Sequence, residues 1–225
     1  MLEEILILIG ATIATLLPIA NPFSTAPVFA TLSKRFSAKR RKQQARMAVI
    51  NMSAVLLVTL FGGALILTFF GITVPVMRIA GGILIARIGL GMSNPDPEEN
   101  VSDESKQEAR QMEDISFTPI AMPLLSGPGS IAVTISMATH ADSISDYLAV
   151  AIGILCVAAI SLVVLRVAEP VVEFLGVTGM NALTRIMGFL LICIGIQFVL
   201  TGFFEGITNE EVMRGIIDSI RQVSG

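Results

Sequence analysis

Asn21, Ser24 and Thr25 lie among prolines in PIANPFSTAP (residues 18–27), and Ser126 and Ser130 flank a Gly-Pro-Gly element after PIAMPLL (residues 119–125). Both groups sit inside long uncharged runs. A proline in a helix removes one hydrogen bond, clashes with the carbonyl four residues back and pushes the residue before it toward extended geometry. Pro18, Pro22 and Pro27 therefore predict a helix break between Ala20 and Ser24. Pro123 followed by Ser126, Gly127, Pro128, Gly129 and Ser130 predicts a helix-poor stretch of the same kind. Backbone polar groups exposed by such breaks cannot face lipid and must line an enclosed or water-filled cavity. A new helix N-terminus there offers N–H groups and a positive dipole end to a carboxylate, while the freed carbonyls can accept from an ammonium. The candidate substrate-binding residues are Asn21, Pro22, Phe23, Ser24, Thr25, Ser126, Gly127, Pro128, Gly129 and Ser130.

Other chemistries fit less well. A serine beside glycine can act as a nucleophile with a backbone oxyanion site. The chain's one histidine, His140, is ten or more residues from Ser126 and Ser130, about 15 Å along a helix, and is a poor base for either. No catalytic residue is assigned and no enzyme is expected. Cys156 and Cys193 lack ligand-like spacing and read as packing residues, so neither a metal nor another cofactor is expected.

The elements that must hold these groups are membrane helices. The 225 residues are 53% hydrophobic and 15% charged, too apolar for a soluble globule. Uncharged runs cover residues 5–33, 47–77, 115–141 apart from His140, 147–165 and 186–204, and 79–93 is interrupted only by Arg87. At about 20 residues per crossing these make six spans of an all-α polytopic protein. The first run, 29 residues, would reach about 43 Å as a straight helix and must break or tilt. The acidic start MLEEILILIG does not resemble a cleavable signal.

Seven of the fifteen Lys and Arg residues fall in 34–46, between the first two spans. Short basic loops stay on the cytoplasmic side, which predicts that both the N-terminus and the C-terminus lie outside. Residues 94–116 are acidic, poor in apolar residues and opened by two prolines, suiting a cytoplasmic linker. The tail from 206 carries a Thr208 to Glu211 capping box and apolar Val212, Ile216, Ile220 and Val223 along one face, predicting a helix on the outer membrane surface.

Pro, Ile, Ala, Pro and Pro recur in register between 18–27 and 119–128, and Arg, Ile, Gly, Leu and Ile between RIAGGILI (78–85) and RIMGFLLI (185–192). Three spans per copy insert the second copy upside down, so the expected fold is a 3+3 inverted repeat with discontinuous first and fourth helices. Such repeats build secondary transporters with the site near the midplane. The corresponding division is 1–93 as the first repeat, 94–116 as linker, 117–205 as the second repeat and 206–225 as tail.

With the last span ending at Phe204, no Asp or Glu falls within a span. Recognition by backbone dipoles then favours a small net-neutral zwitterion over a cation. Arg78, Arg87, Arg185 and Gln197 are the candidate gate or coupling residues. Arg87 can alternatively snorkel to nearby headgroups, Arg78 and Arg185 can anchor in lipid, and Gln197 can bond between helices.

Asn21-Pro22, Pro27-Val28-Phe29, the RIAGG stretch from Arg78, PLLSGPG from Pro123, NALTRIMGFLL from Asn181 and GIQ from Gly195 resemble segments of the MarC family of bacterial and archaeal inner-membrane proteins. The resemblance covers nearly the whole chain except the linker and tail. Position 24 is Ser where many members place glycine nearby, which would narrow a cavity there. The resemblance implies an inverted-repeat fold and transport of small neutral amino acids such as glycine, alanine or serine, driven by the proton gradient. The expected partners are a small neutral amino acid, a proton or sodium ion, membrane lipid and, as a candidate, further copies of the chain; nucleic acid is not among them. The competing function is a small-solute channel of aquaporin-like logic, although an aquaporin carries its Asn-Pro elements on re-entrant loops.

Overall fold

The structure is a computed structural model that describes residues 2–93, 113–141 and 143–208. Most of the acidic linker and the expected tail helix lie outside the described residues. Within them the fold is helical, with no strands. In chain order the elements are α1 (Leu2–Ala20), α2 (Pro22–Ser33), α3 (Ala38–Phe69), α4 (Val74–Ser93), α5 (Ser116–Leu125), α6 (Pro128–Ala138), α7 (Ile144–Arg166) and α8 (Ala168–Thr208). Five helices are long and apolar enough to cross a membrane, and the pair α5 and α6, bent by 63°, brings the number to six.

The first break consumes one residue. Asn21 sits in the left-handed region (φ 38°, ψ 62°), a conformation that Asn tolerates better than most residues with a Cβ. Its N–H still closes the last turn of α1 on Leu17 O at 3.0 Å. Pro22 then opens α2 at the position where a missing N–H costs least.

The α5 segment is less regular. Thr118 (φ −116°, ψ 127°) and Met122 (φ −127°, ψ 123°) are extended, as the residue before a proline prefers, and precede Pro119 and Pro123. What remains are wide π-type turns, with Ile120 N donating to Ile115 O and Ser126 N to Ala121 O, each five residues back. The chain leaves this segment through Ser126 and Gly127, and α6 starts at Pro128. The helix-poor stretch expected over 126–130 is thus narrower than the sequence suggests, because Pro128, Gly129 and Ser130 form the first turn of α6. Proline's fixed φ suits that position.

Three side-chain cap arrangements set helix starts. Asn21 accepts from Ser24 N and Ser37 from Arg40 N, and Ser143 and Asp146 form a reciprocal capping box at α7. Near the start of α8, Gly176 takes φ 62° and ψ −175°, a region essentially limited to glycine. This kink separates the connector after Ala168 from the span Thr178–Thr208.

The bundle closes around Leu16, Phe29, Met52, Leu56, Leu60, Ile85, Ile154 and Leu165, all fully buried. α4 lies along α8, α1 packs on α7, and α3 packs on α5, α6 and α7. Val58, Phe61, Leu65 and Phe69 of α3 face outward, as a lipid-facing helix surface requires, since hydrocarbon is no less apolar than these side chains.

Candidate functional site

Both breaks lie inside the bundle. Asn21, Pro22 and Thr25 are buried and Phe23 and Ser24 half-buried; on the other side Ser126, Gly129 and Ser130 are buried, Gly127 is half-buried and Pro128 exposed. Gly129 is the point where the second break meets the first. A Cβ added there would sit 3.3 Å from Ile19 Cγ2 and 2.8 Å from Ile85 Cγ1. Ile19 is two residues from Asn21, so only a glycine lets the α6 start come this close to the end of α1.

Most polar groups of the two breaks bond to their own backbones, and two reach across to α4 and α8. Asn21 Oδ1 accepts from Ser24 N at 3.2 Å, its amide donates to Met92 Sδ at 3.5 Å, and Thr25 Oγ1 donates to Asn21 O at 3.2 Å. Ser24 Oγ reaches Thr184 Oγ1 at 3.5 Å. Ser126 Oγ donates to Ala121 O at 2.8 Å and Ser130 Oγ to Leu125 O at 3.4 Å. Among the described residues every buried side-chain polar atom has a partner. Of the two helix starts that follow the breaks, α2 is capped by Asn21 whereas α6 is not, since Gly127 supplies no side chain. The first N–H groups of α6 are therefore those free of side-chain competition.

The candidate gate residues separate into two classes. Arg87, Arg185 and Gln197 are exposed, with Gln197 donating to Thr201 Oγ1 at 3.2 Å on its own helix. Arg78 is buried. Its guanidinium forms an ion pair with Glu205, and Nε donates to Ser136 Oγ at 2.8 Å. Nη2 lies 2.7 Å from His140 Nε2. This corrects the expectation that no acidic residue falls within a span: the last span runs to Thr208, not Phe204, and carries Glu205 in its final turn. A buried guanidinium without such a carboxylate would be strongly disfavoured, which is the physical reason the two occur together.

At the opposite end of the bundle, where the loop 34–37 lies, a second polar cluster ties the start of α3 to the segment entering α5. Arg40 Nη2 donates to Glu113 O at 2.8 Å, Ile115 N donates to Gln44 Oε1 at 2.9 Å, and Ser116 N donates to Asp114 Oδ1 at 2.8 Å. Arg40, Gln44, Glu113 and Asp114 border a cleft of about 460 Å³ with Ser37, Lys39 and Gln43. The hydrogen bonds from Ser116, side chain first and backbone second, hold the Asp114 carboxyl below its ordinary range, against a smaller opposing effect of burial. Arg41 forms an ion pair with Glu169 nearby.

A model of the MarC family of integral membrane proteins matches residues 6–207. The chain belongs to the MarC family. Among its relatives, the UPF0056 inner membrane protein MarC of Salmonella paratyphi A is 36% identical over 208 residues, covering 88% of this chain and 94% of the relative. The proteins of the same name from Citrobacter koseri and Escherichia coli O1:K1 / APEC are each 35% identical with the same coverage. No solved structure matches this chain. The match to the MarC model takes in both breaks, Arg78, His140 and Glu205.

Glu205 and His140 are the site residues that sequence reasoning missed. Glu205 is 127 positions from Arg78, and no local spacing pairs them. A better signal was the buried arginine itself: a cation near a span end that is not snorkelling needs a carboxylate at the same depth, and Glu205 is the acidic residue next to the last uncharged run.

Proposed function

We propose that this MarC-family chain is a secondary transporter of small neutral amino acids of the glycine, alanine and serine class, coupled to a proton or sodium ion. In this proposal it sits in the inner membrane with both termini outside and works by alternating access around a site between its two broken helices. The observation that carries the proposal is the approach of the breaks: Gly129 of α6 against Ile19 of α1 puts the uncapped start of α6 beside the Asn21 interruption. A substrate carboxylate would take the N–H groups at the starts of α6 and α2. Its ammonium would take carbonyls such as Ala121 O, which Ser126 occupies here.

Support for an inverted repeat comes from the packing. If α1 to α4 correspond to α5 to α8, a two-fold axis requires contacts in reciprocal sets. The larger ones follow that rule: α1 with α7 and α3 with α5, α2 with α7 and α3 with α6, α2 with α8 and α4 with α6. The pair α4 and α8 is its own reciprocal and packs most extensively. Each three-span half contributes one break, the geometry in which an occluded midplane site forms. In this reading a substrate would displace the hydroxyls that Ser126 and Ser130 turn onto Ala121 O and Leu125 O.

The test is counterflow in proteoliposomes loaded with unlabelled glycine, alanine, serine, a cationic amino acid or a drug, with and without an imposed pH gradient. Labelled neutral amino acid accumulating only against the neutral amino acids, and saturably, supports the transporter. Flux linear in concentration without counterflow sinks it in favour of a channel.

A further inference from the structure

We infer that the cleft where α2, α3 and α7 meet, at the 34–37 end of the bundle, binds the phosphate of an anionic phospholipid between Lys42 and Arg166. The cleft holds about 70 Å³, which, against roughly 10–15 Å³ for one water, is room for a small polyatomic group. Phe29 and Leu165, both buried, give it an apolar wall, and Arg41, Lys42, Arg166 and Glu169 supply its charges. Arg41 and Glu169 form an ion pair with each other. Lys42 and Arg166 are exposed, and among the described residues neither makes a hydrogen bond or an ion pair. The cleft therefore keeps two positive charges with no anion to answer them.

Both cations stand at the ends of lipid-facing rows. Residues three and four apart share a helix face. On α3 the positions Lys42, Arg46, Ile50, Ala54, Val58 and Phe61 follow that spacing and are all exposed; on α7 so are Ile152, Leu155, Ala159, Val163 and Arg166. The stacked rings of Phe61 and Tyr147, 6.0 Å apart, and the Arg41 to Glu169 ion pair just beyond α7 hold the two helices antiparallel. The start of one row is thereby level with the end of the other, and on both helices apolar side chains give way to cations at one depth. At 32 residues α3 is about 48 Å long against ~30 Å of hydrocarbon, so its charged first turns stand in the headgroup layer.

The dipole at the end of α7 favours a cation at Arg166, and water alone would solvate Lys42, but neither reason sets the two on one cleft with an apolar wall. A phospholipid meets both halves of the site. Its phosphate oxygens take the two cations while an acyl chain follows the rows through Ile50 and Val163. The one carboxylate in the cleft is already paired, so the ammonium of a zwitterionic lipid finds no partner there and a net anionic headgroup is favoured. The site does not depend on which solute crosses the membrane.

The test is native mass spectrometry of delipidated protein titrated with phosphatidylglycerol, with phosphatidylethanolamine of the same acyl chains, or with glycerol phosphate, which carries the phosphate without the chains. The parent is expected to hold phosphatidylglycerol about tenfold more tightly than phosphatidylethanolamine, and Lys42→Gln/Arg166→Gln to lose that preference. Lys34→Gln/Lys39→Gln removes two exposed cations from the same end of the bundle but outside the cleft, and is expected to keep it. No preference in the parent, an equal loss in both double variants, or glycerol phosphate bound as tightly as the lipid overturns the site. A phosphatidylglycerol with a photoreactive headgroup gives a readout on the parent alone. Its label is expected on residues 38–46 and 163–168, and label confined to other segments overturns the assignment.

Discussion

Gly82 and Gly195 face each other across α4 and α8 with reciprocal closeness. A Cβ on Gly82 would lie 2.5 Å from the carbonyl oxygen of Gly195, and a Cβ on Gly195 would lie 2.5 Å from that of Gly82. Two helical turns further on, Gly89 and Gly188 repeat the arrangement at 2.5 and 2.8 Å. Two main chains in contact at two places leave no room for a side chain to bend aside.

Gly82→Ala and Gly195→Ala should each separate the helices. An overpacked contact of this kind costs about 1–3 kcal/mol, read as a lower melting temperature of the purified protein in detergent. Gly62→Ala, at a position with open space around its Cα, is the control and should melt with the parent or above it. Equal melting of all three would show that α4 and α8 do not touch as described.

Asn21 combines a left-handed backbone with a cap, and two substitutions separate them. Asn21→Gly keeps the backbone and loses the bond to Ser24 N. Asn21→Ala loses the cap, worth about 1 kcal/mol, and adds left-handed strain of about 1 kcal/mol. Asn21→Ala should therefore melt below Asn21→Gly, and both below the parent. The reverse order would show that α1 runs into α2 without the observed φ.

Gly129→Ala should destabilise by pressing a methyl onto Ile85 Cγ1. Ile85→Ala removes that atom but leaves a void, at about 2–5 kcal/mol. Combined, the two changes should cost clearly less than the sum of the singles, because each corrects the other. Strict additivity in chemical denaturation would place Gly129 elsewhere.

The Asp114 carboxyl, outside the spans, should titrate below the ordinary carboxylate range by carbon NMR, and Ser116→Ala should raise its midpoint toward that range. A depressed folded value gives a local stabilisation that is complete above the unfolded titration, near pH 4, and lost as the pH falls through the folded one. An unchanged midpoint in Ser116→Ala would remove the hydrogen bond as its cause.

The sequence made the first break legible because Asn-Pro flanked by two further prolines offers the chain few alternatives, and Asn21 falls within the expected interval. It showed less of α5. The extended backbone at Thr118 and Met122 follows from the prolines after them, but four-residue spacing between those prolines does not announce π-type turns. Gly176 lay outside every predicted span, in a connector where nothing in the neighbouring residues marks a kink. The Arg78–Glu205 pair was invisible for a different reason: depth in a bundle is set by how helices pack, and a span end placed at Phe204 excluded the carboxylate by one residue.

A single left-handed residue also makes a hinge with a long arm. α2 runs twelve residues from Pro22 to Ser33, about 18 Å of rod, and Pro22 stiffens its root. A turn of about 10° at Asn21 would swing the far end by about 3 Å on that geometry, enough to move the 34–37 loop while the body of α1 stays still.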